Sequence, residues 1–283
     1  MFKFGFSNDC SIQEDGENMT DDNIKWIIAS EVHIYPEEVA SRYKCIEYDE
    51  NKCFFDISLK LVQTDKVVTK LKDENYKAIV EAESRHSDLI TAKYEGGLKI
   101  WECTNDLANY LLQQNYYLNN KQVLDLGCGS GIIGILCLIK GSTVHFQDYN
   151  NEVITYITIP NVILNLGNAV INNGRTKFYC GDWKSFLSLL LKNSNNENEK
   201  YDFIFTSETI YNSDNHKKLY EVFKQKLKFG GLGLVAGKTH YFGVGGSMRE
   251  FQDLVIKDEI FNVQTVWKSN EGLQKEIIAL SHR

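Results

Sequence analysis

The segment from Gln122 to Asn150, QVLDLGCGSGIIGILCLIKGSTVHFQDYN, constrains this chain more than any other. Val123, Leu124 and Leu126 make an apolar strand pattern, and Gly127, Gly129 and Gly131 follow at alternate positions. Alternating glycines let the backbone turn sharply and let a ligand approach without meeting a Cβ. Ile132 to Lys140 then supplies an apolar helix whose N-terminus faces that ligand. A second strand, Thr143 to Gln147, stops at Asp148, placed to accept hydrogen bonds from a ribose diol. The pattern predicts a nucleoside-cofactor pocket at the switch point of an α/β sheet.

Two nucleoside classes compete for such a pocket. Gly129-Ser130-Gly131-Ile132-Ile133-Gly134 satisfies G-x-G-x-x-G, so a dinucleotide stays open. Asp125, two positions before the first glycine, argues against it, because a carboxylate there repels a pyrophosphate. S-adenosylmethionine carries no phosphate; its ammonium and sulfonium are cationic and suit an acid through charge-assisted hydrogen bonds. D-x-G-x-G-x-G ahead of a helix resembles the first motif of the seven-strand methyltransferases.

A chain of 283 residues is long enough for one enzyme-sized domain with an appendage. Its net charge of −7, with no basic block, argues against a nucleic-acid substrate held by phosphate contacts and mildly favours a basic protein partner. The seven cysteines are odd in number and scattered without a Cys-x-x-Cys pair, so neither a metal site nor a disulfide framework is expected. No apolar run reaches the roughly 18 residues of a membrane span. The opening residues lack both a signal-peptide core and an Arg-rich transit pattern. A monomer in the cytoplasm or nucleus is the expectation.

Residues 1–87 differ from the rest. Asp9 to Asp22 is acidic and polar and is expected to be mobile. Phe54 to Val62 and Lys66 to Leu71 have strand-like composition, and Asp73 to Arg85 a helical one. From residue 88 to 283 strands and helices alternate. A helix at Thr104 to Gln114 precedes the first strand, and a helix at Asn151 to Asn165 is interrupted by Pro160. Strands follow at Thr176 to Cys180, Asp202 to Thr206 and Leu232 to Lys238, with helices at Asp214 to Leu227 and Ser247 to Asp258. Asn262 to Trp267 and Lys275 to Leu280, joined by a polar loop, read as an antiparallel pair. The expected fold is α/β, a Rossmann-like, mostly parallel seven-stranded sheet closed by a C-terminal hairpin, with helices on both faces. Lys192 to Lys200, KNSNNENEK, reads as a surface insertion.

Several segments together resemble the histidine protein methyltransferases, a branch of the seven-strand methyltransferases whose known members modify a ribosomal large-subunit protein. They are Phe2-Lys3-Phe4-Gly5-Phe6, YEGGLKIWECT (Tyr94 to Thr104), VHFQDYN (Val144 to Asn150), TSETIYN (Thr206 to Asn212) and HYFGVGG (His240 to Gly246). One departure stands out: the family's proline-glycine step before Tyr94 is replaced here by Thr91-Ala92-Lys93. The resemblance implies S-adenosylmethionine as cofactor and S-adenosylhomocysteine as product. It implies cofactor contacts from Ile100, Trp101, Glu102, Cys103, Thr104, Asp125, Gly127, Gly129, Gln147, Asp148, Tyr149, Gly181, Asp182, Trp183 and Ser207.

Within that set, Trp101 is expected to wall the methionine end, with Glu102 or the Thr104 hydroxyl on its polar atoms. A core role for Trp101 and plain helix capping by Thr104 compete with this. Asp182 is expected to accept from the adenine amine while Trp183 seals the pocket edge. His145, flanked by Val144 and Phe146, reads as a packed histidine. Glu208, Tyr211 and Asn212, just past a strand end, are expected to orient the substrate, Glu208 or Asn212 as the acceptor for an imidazole N–H. Glu208-x-x-Tyr211 also resembles the signature of a related group that methylates protein lysines, so that acceptor stays open. A cofactor-binding ribosome assembly factor and a dehydrogenase are the more distant alternatives.

Overall fold

The computed structural model describes residues 25–35, 47–48, 52–74, 76, 78, 81–82, 87, 89–193, 199–270 and 272–283. The Phe2–Phe6 motif, the acidic stretch Asp9–Asp22, most of the helix expected at Asp73–Arg85 and the middle of the insertion at Lys192–Lys200 lie outside the described residues. The strands are β1 (Ser30–Glu31), β2 (Lys52–Phe54), β3 (Ile57–Leu59), β4 (Gln122–Leu126), β5 (Thr143–Asp148), β6 (Thr176–Cys180), β7 (Tyr201–Ser207), β8 (Leu227–Lys238), β9 (Phe261–Lys268) and β10 (Lys275–His282). The main sheet runs β1-β6-β5-β4-β7-β8-β10-β9. β6, β5, β4, β7 and β8 are parallel neighbours, while β10 pairs antiparallel with both β8 and β9. The expected seven strands and closing hairpin are present. An eighth strand, β1, pairs antiparallel with β6 through Ser30↔Cys180 and Glu31↔Tyr179.

Side chains alternate across the sheet as strand geometry requires. On β4, Val123 packs into one apolar cluster with α2 (Glu102–Gln114), α3 (Ile132–Ile139) and residues 151–166. Leu124 and Leu126 pack on the opposite face with α6 (Trp183–Asn193), α7 (His216–Lys226) and α8 (Met248–Lys257). The central strands bury apolar residues on both faces, Val123 opposite Leu124 and Leu126 on β4 and Phe205 opposite Ile204 on β7. His145 on β5 bonds the Tyr201 hydroxyl at 2.8 Å, and burial lowers its pKa to about 3, so it is the packed histidine expected.

Three expectations are corrected. Lys66–Leu71 is not a strand but part of α1 (Thr64–Asp73), since burying Leu71 beside Val62, Tyr94 and Ile157 outweighs the β-branched character of Val67 and Val68. Phe54–Val62 is not one strand; β2 and β3 form a hairpin around Phe55-Asp56. Pro160 does not break its helix. Residues 151–166 (α4) stay helical because Ile154–Thr158 widens to a π-turn just before the proline, whose missing N–H needs such an accommodation. α5 (Ala169–Asn172) follows. Helix α6 went unread, although Trp183, Phe186, Leu187 and Leu190 carry helical spacing and Asp182 Oδ2 caps it from Lys184 N at 2.9 Å.

The tightest approach lies between α3 and β5. A Cβ on Gly134 would sit 2.2 Å from Phe146 Cε1, and Phe146 is itself stacked on Phe178 at 5.3 Å. In an open helix Ala would be favoured over Gly by about 1 kcal/mol. Here overpacking reverses the sign, so Gly134→Ala should lose about 1–3 kcal/mol in denaturant unfolding. Pairing it with Phe146→Leu should recover part of that loss; simple additivity would show that the ring is not the obstacle.

Candidate functional site

The carboxyl ends of β4, β5, β6 and β7 open onto one cleft of about 720 Å³, counted out to its open mouth. The turn after β4 runs through Gly127, Gly129 and Gly131, all at positive φ, so the N-terminus of α3 begins at the cleft wall. Gln147, buried at the end of β5, ties the floor together. Its amide donates to Gly181 O at 2.8 Å and accepts from Trp183 Nε1 at 2.9 Å and Gly127 N at 3.3 Å. Asp148 accepts from Gly129 N at 2.9 Å and Asn150 N at 3.3 Å. Burial nevertheless raises its pKa to about 6.

The loop before α2 lies across the glycine turn. Tyr149 donates to Ala92 O and Asn150 to Lys93 O, both at 2.8 Å, while Glu95 N donates to Asn150 Oδ1 at 3.1 Å. Ala92 sits at φ +61°, a left-handed conformation that favours glycine. Glu95 accepts from Ala92 N and from the Tyr211 hydroxyl, and burial raises the pKa of both Glu95 and Tyr211. Trp101 donates to Gly96 O at 3.0 Å, and the Thr104 and Ser207 hydroxyls meet at 2.8 Å.

Glu208 is the strained residue of the site. It follows β7 at φ +58°, a conformation that costs a non-glycine residue on the order of 1–2 kcal/mol. Its Oε1 accepts from Cys103 N at 3.3 Å, but its buried Oε2 has no hydrogen-bond partner. An unpartnered buried acceptor costs roughly a further 1–3 kcal/mol. Strain and an unsatisfied acceptor on one residue mark a place shaped for something other than stability.

Of the expected residues, Ile100, Trp101, Thr104, Gly127, Gly129, Asp148, Tyr149, Gly181, Asp182, Trp183, Ser207, Glu208 and Tyr211 line this cleft. Glu102, Cys103, Gln147 and Asn212 do not. Gln147 and the Cys103 amide support from behind, and Asn212 Oδ1 is taken by Asp214 N at 3.0 Å, capping the turn that leads into α7. Asp125 is the chief correction. Its Oδ2 accepts from Gly134 N in the first turn of α3, and burial pushes its pKa up to about 8, so it anchors that helix and lies off the cleft lining. On the lining itself Glu95, Asp148, Asp182 and Glu208 outnumber the one lining lysine among the described residues, Lys99, with Lys218 and Lys238 set against Asp182 and Glu208. A pyrophosphate does not suit that balance.

Trp26, Glu95, Gly96, Gly97, Lys99, Cys128, Ser130, Thr209 and Asn215 also line the wall, beyond the residues expected from sequence. Trp26 comes from the segment held beside β6, where Ile27 N donates to the Tyr149 hydroxyl at 3.0 Å and Asp182 N to Ile27 O at 2.8 Å. Lys218 Nζ lies 3.3 Å from the Trp26 ring centroid and 3.0 Å from Asp182 Oδ1. Asp182 therefore has both oxygens engaged, and each keeps only a further lone pair for an adenine amine.

A family model described as lysine methyltransferase matches residues 87–241, more than half of the chain. The chain is 45% identical over 199 residues to a protein named histidine protein methyltransferase 1 homolog from Dictyostelium discoideum, covering 70% of this chain and 61% of that one. It is 39% identical over 247 residues to the protein of the same name from Bos taurus, covering 80% and 65%. The match thus spans less than two thirds of the length of either relative. A solved structure from Streptococcus mutans, assigned as a SAM-dependent methyltransferase, shares the fold with a TM-score of 0.54 at 12% identity, over 88% of this chain and 58% of that one.

The raised pKa of Asp148 gives a pH test. The ionised carboxylate is the form that accepts from two ribose hydroxyls, so affinity should hold above about pH 6 and fall as pH drops below it. Calorimetric titration with S-adenosylhomocysteine from pH 5 to 8 should show this decline, approaching tenfold per unit. Asp148→Asn should bind about ten- to a hundredfold more weakly at neutral pH, with a flat profile. An unchanged slope in the variant would assign the titration to Glu95 instead.

Proposed function

The chain belongs to the family described as lysine methyltransferases, in the branch of the histidine protein methyltransferase 1 homologues, and on that premise we propose that it is an S-adenosylmethionine-dependent protein-histidine N-methyltransferase. The observation that carries the proposal is Glu208, with its unpartnered buried Oε2 at the carboxyl edge of the sheet. The cofactor supplies an electrophilic methyl group on a sulfonium. Asp148 would accept from its ribose hydroxyls, the glycine turn would leave room for it, and Trp101 would wall its methionine end.

An imidazole has an unperturbed pKa of about 6.5, so one ring nitrogen already offers a lone pair at neutral pH. The protein's task is to choose the tautomer and align nitrogen, methyl and sulfur, and such orientation supplies roughly 7–11 kcal/mol. Glu208 Oε2 accepts the N–H of the other ring nitrogen. As the new N–C bond forms and the C–S bond breaks, the ring becomes cationic, and the adjacent carboxylate stabilises that charge. The ring proton then leaves to solvent.

The substrate we infer is a histidine of a ribosomal large-subunit protein, in the cytoplasm or nucleus, with the enzyme acting as a monomer. Its support is the resemblance across the YEGGLKIWE, FQDYN, SETIYN and HYFGVGG segments, and a net charge of −7 that favours a basic partner. The catalytic domain takes in residues 88–283, with the described part of residues 1–87 packed on it. Glu208-x-x-Tyr211 and the family model's description favour a protein lysine as the second reading.

Glu208→Ala separates orientation from cofactor binding. Its affinity for S-adenosylhomocysteine should stay within about threefold of wild type. Transfer of radiolabel to hypomethylated ribosomes should fall roughly a hundred- to a thousandfold. Equal losses in both assays would move Glu208 to the cofactor and away from the acceptor.

A further inference from the structure

Trp101 and Glu208, both on the cleft wall, and Tyr241 beside them surround the Lys238 ammonium as a small box. The Tyr241 hydroxyl accepts from Lys238 N at 3.1 Å, and its ring meets Tyr211 edge-on at 6.5 Å. Aromatic faces beside a carboxylate are the surroundings that hold an alkylammonium. In this chain the box is filled from within. Lys238 Nζ lies 5.8 Å from the ring centroids of both Trp101 and Tyr241 and 3.9 Å from Glu208 Oε1, with its side chain only 14% exposed. Its backbone is fixed at the end of β8 by pairing with Lys275. Lys99 adds a second ammonium 4.9 Å from the Trp101 ring.

We propose that Lys238 is a specificity-determining residue that occupies the alkylammonium site and thereby restricts the acceptor to an uncharged ring. The proposal rests on the protein-histidine reading above and explains how that choice is made. A substrate lysine arrives protonated, with a pKa near 10.4. It meets two like charges and finds both aromatic faces and Glu208 Oε1 engaged. A neutral imidazole needs only one acceptor for its N–H, and Oε2 is the oxygen that Lys238 leaves unpaired. The residue that excludes an ammonium thus leaves the ring's acceptor in place.

The test uses wild type, Lys238→Ala, Lys238→Met and Lys238→Arg with tritiated S-adenosylmethionine. The probe is the salt-stripped large-subunit protein fraction of ribosomes from cells lacking the gene, a lysine-rich mixture. Label in methyllysine and methylhistidine is measured after hydrolysis, at pH 7.5 and pH 9. Lys238→Ala should raise the lysine-to-histidine ratio at least about tenfold, more so at pH 9, where more lysine is neutral. Lys238→Arg should keep the wild-type ratio because it returns a cation to the box. Lys238→Met keeps the length without the charge and is read in the same way should Lys238→Ala unfold. An unchanged ratio in both uncharged variants overturns the proposal, whatever happens to total labelling. Wild type labelling lysine alone would overturn the histidine reading itself.

Discussion

Everything in the cleft depends on one buried amide. Gln147, the penultimate residue of β5, has its nitrogen on Gly181 O and its oxygen shared by Trp183 Nε1 and Gly127 N. Those partners belong to the loops after β6 and β4, so a single side chain sets the spacing of three strand ends. In an apolar interior each of these groups would cost on the order of 1–3 kcal/mol if left unpaired. The next residue, Asp148, then faces the cleft from a fixed backbone. Position at the strand end thus becomes chemistry one residue later.

Charge is distributed to match a cationic or neutral guest. Asp125, the acid nearest the glycines in sequence, is withdrawn into the α3 N-terminus and raised to a pKa of about 8. The acids that line the cleft come from the end of β5 and from three different loops. Asp182 is held by Lys218, Glu95 by Tyr211, and Glu208 by Cys103 N and Lys238 at Oε1, with Tyr241 beside it. That open acceptor, on a residue in left-handed conformation, is where the site departs from what stability alone would choose.

The strands, the glycine turn and the closing hairpin were legible because two-residue and helical periods survive in short windows around Val123–Gln147 and Asn262–Leu280. Even the turned-away Asp125 carried a signal, since it shares the α3 face of β4 with Val123 by simple alternation. Trp26 carried none. Its place on the cleft wall is made by contacts to Tyr149 and Lys218, more than a hundred residues away in sequence. Lys66–Leu71 misled because composition is weaker than the burial of Leu71. Asn212 and Asn215 are indistinguishable by type; the turn before α7 uses the first as a cap and puts the second on the wall.

The most direct test of histidine transfer is peptide mass spectrometry of large-subunit ribosomal proteins from cells with and without this gene. One methyl group should disappear, and fragment ions should place it on a histidine ring. Loss of a methyl group from lysine, with every histidine unchanged, would contradict the account.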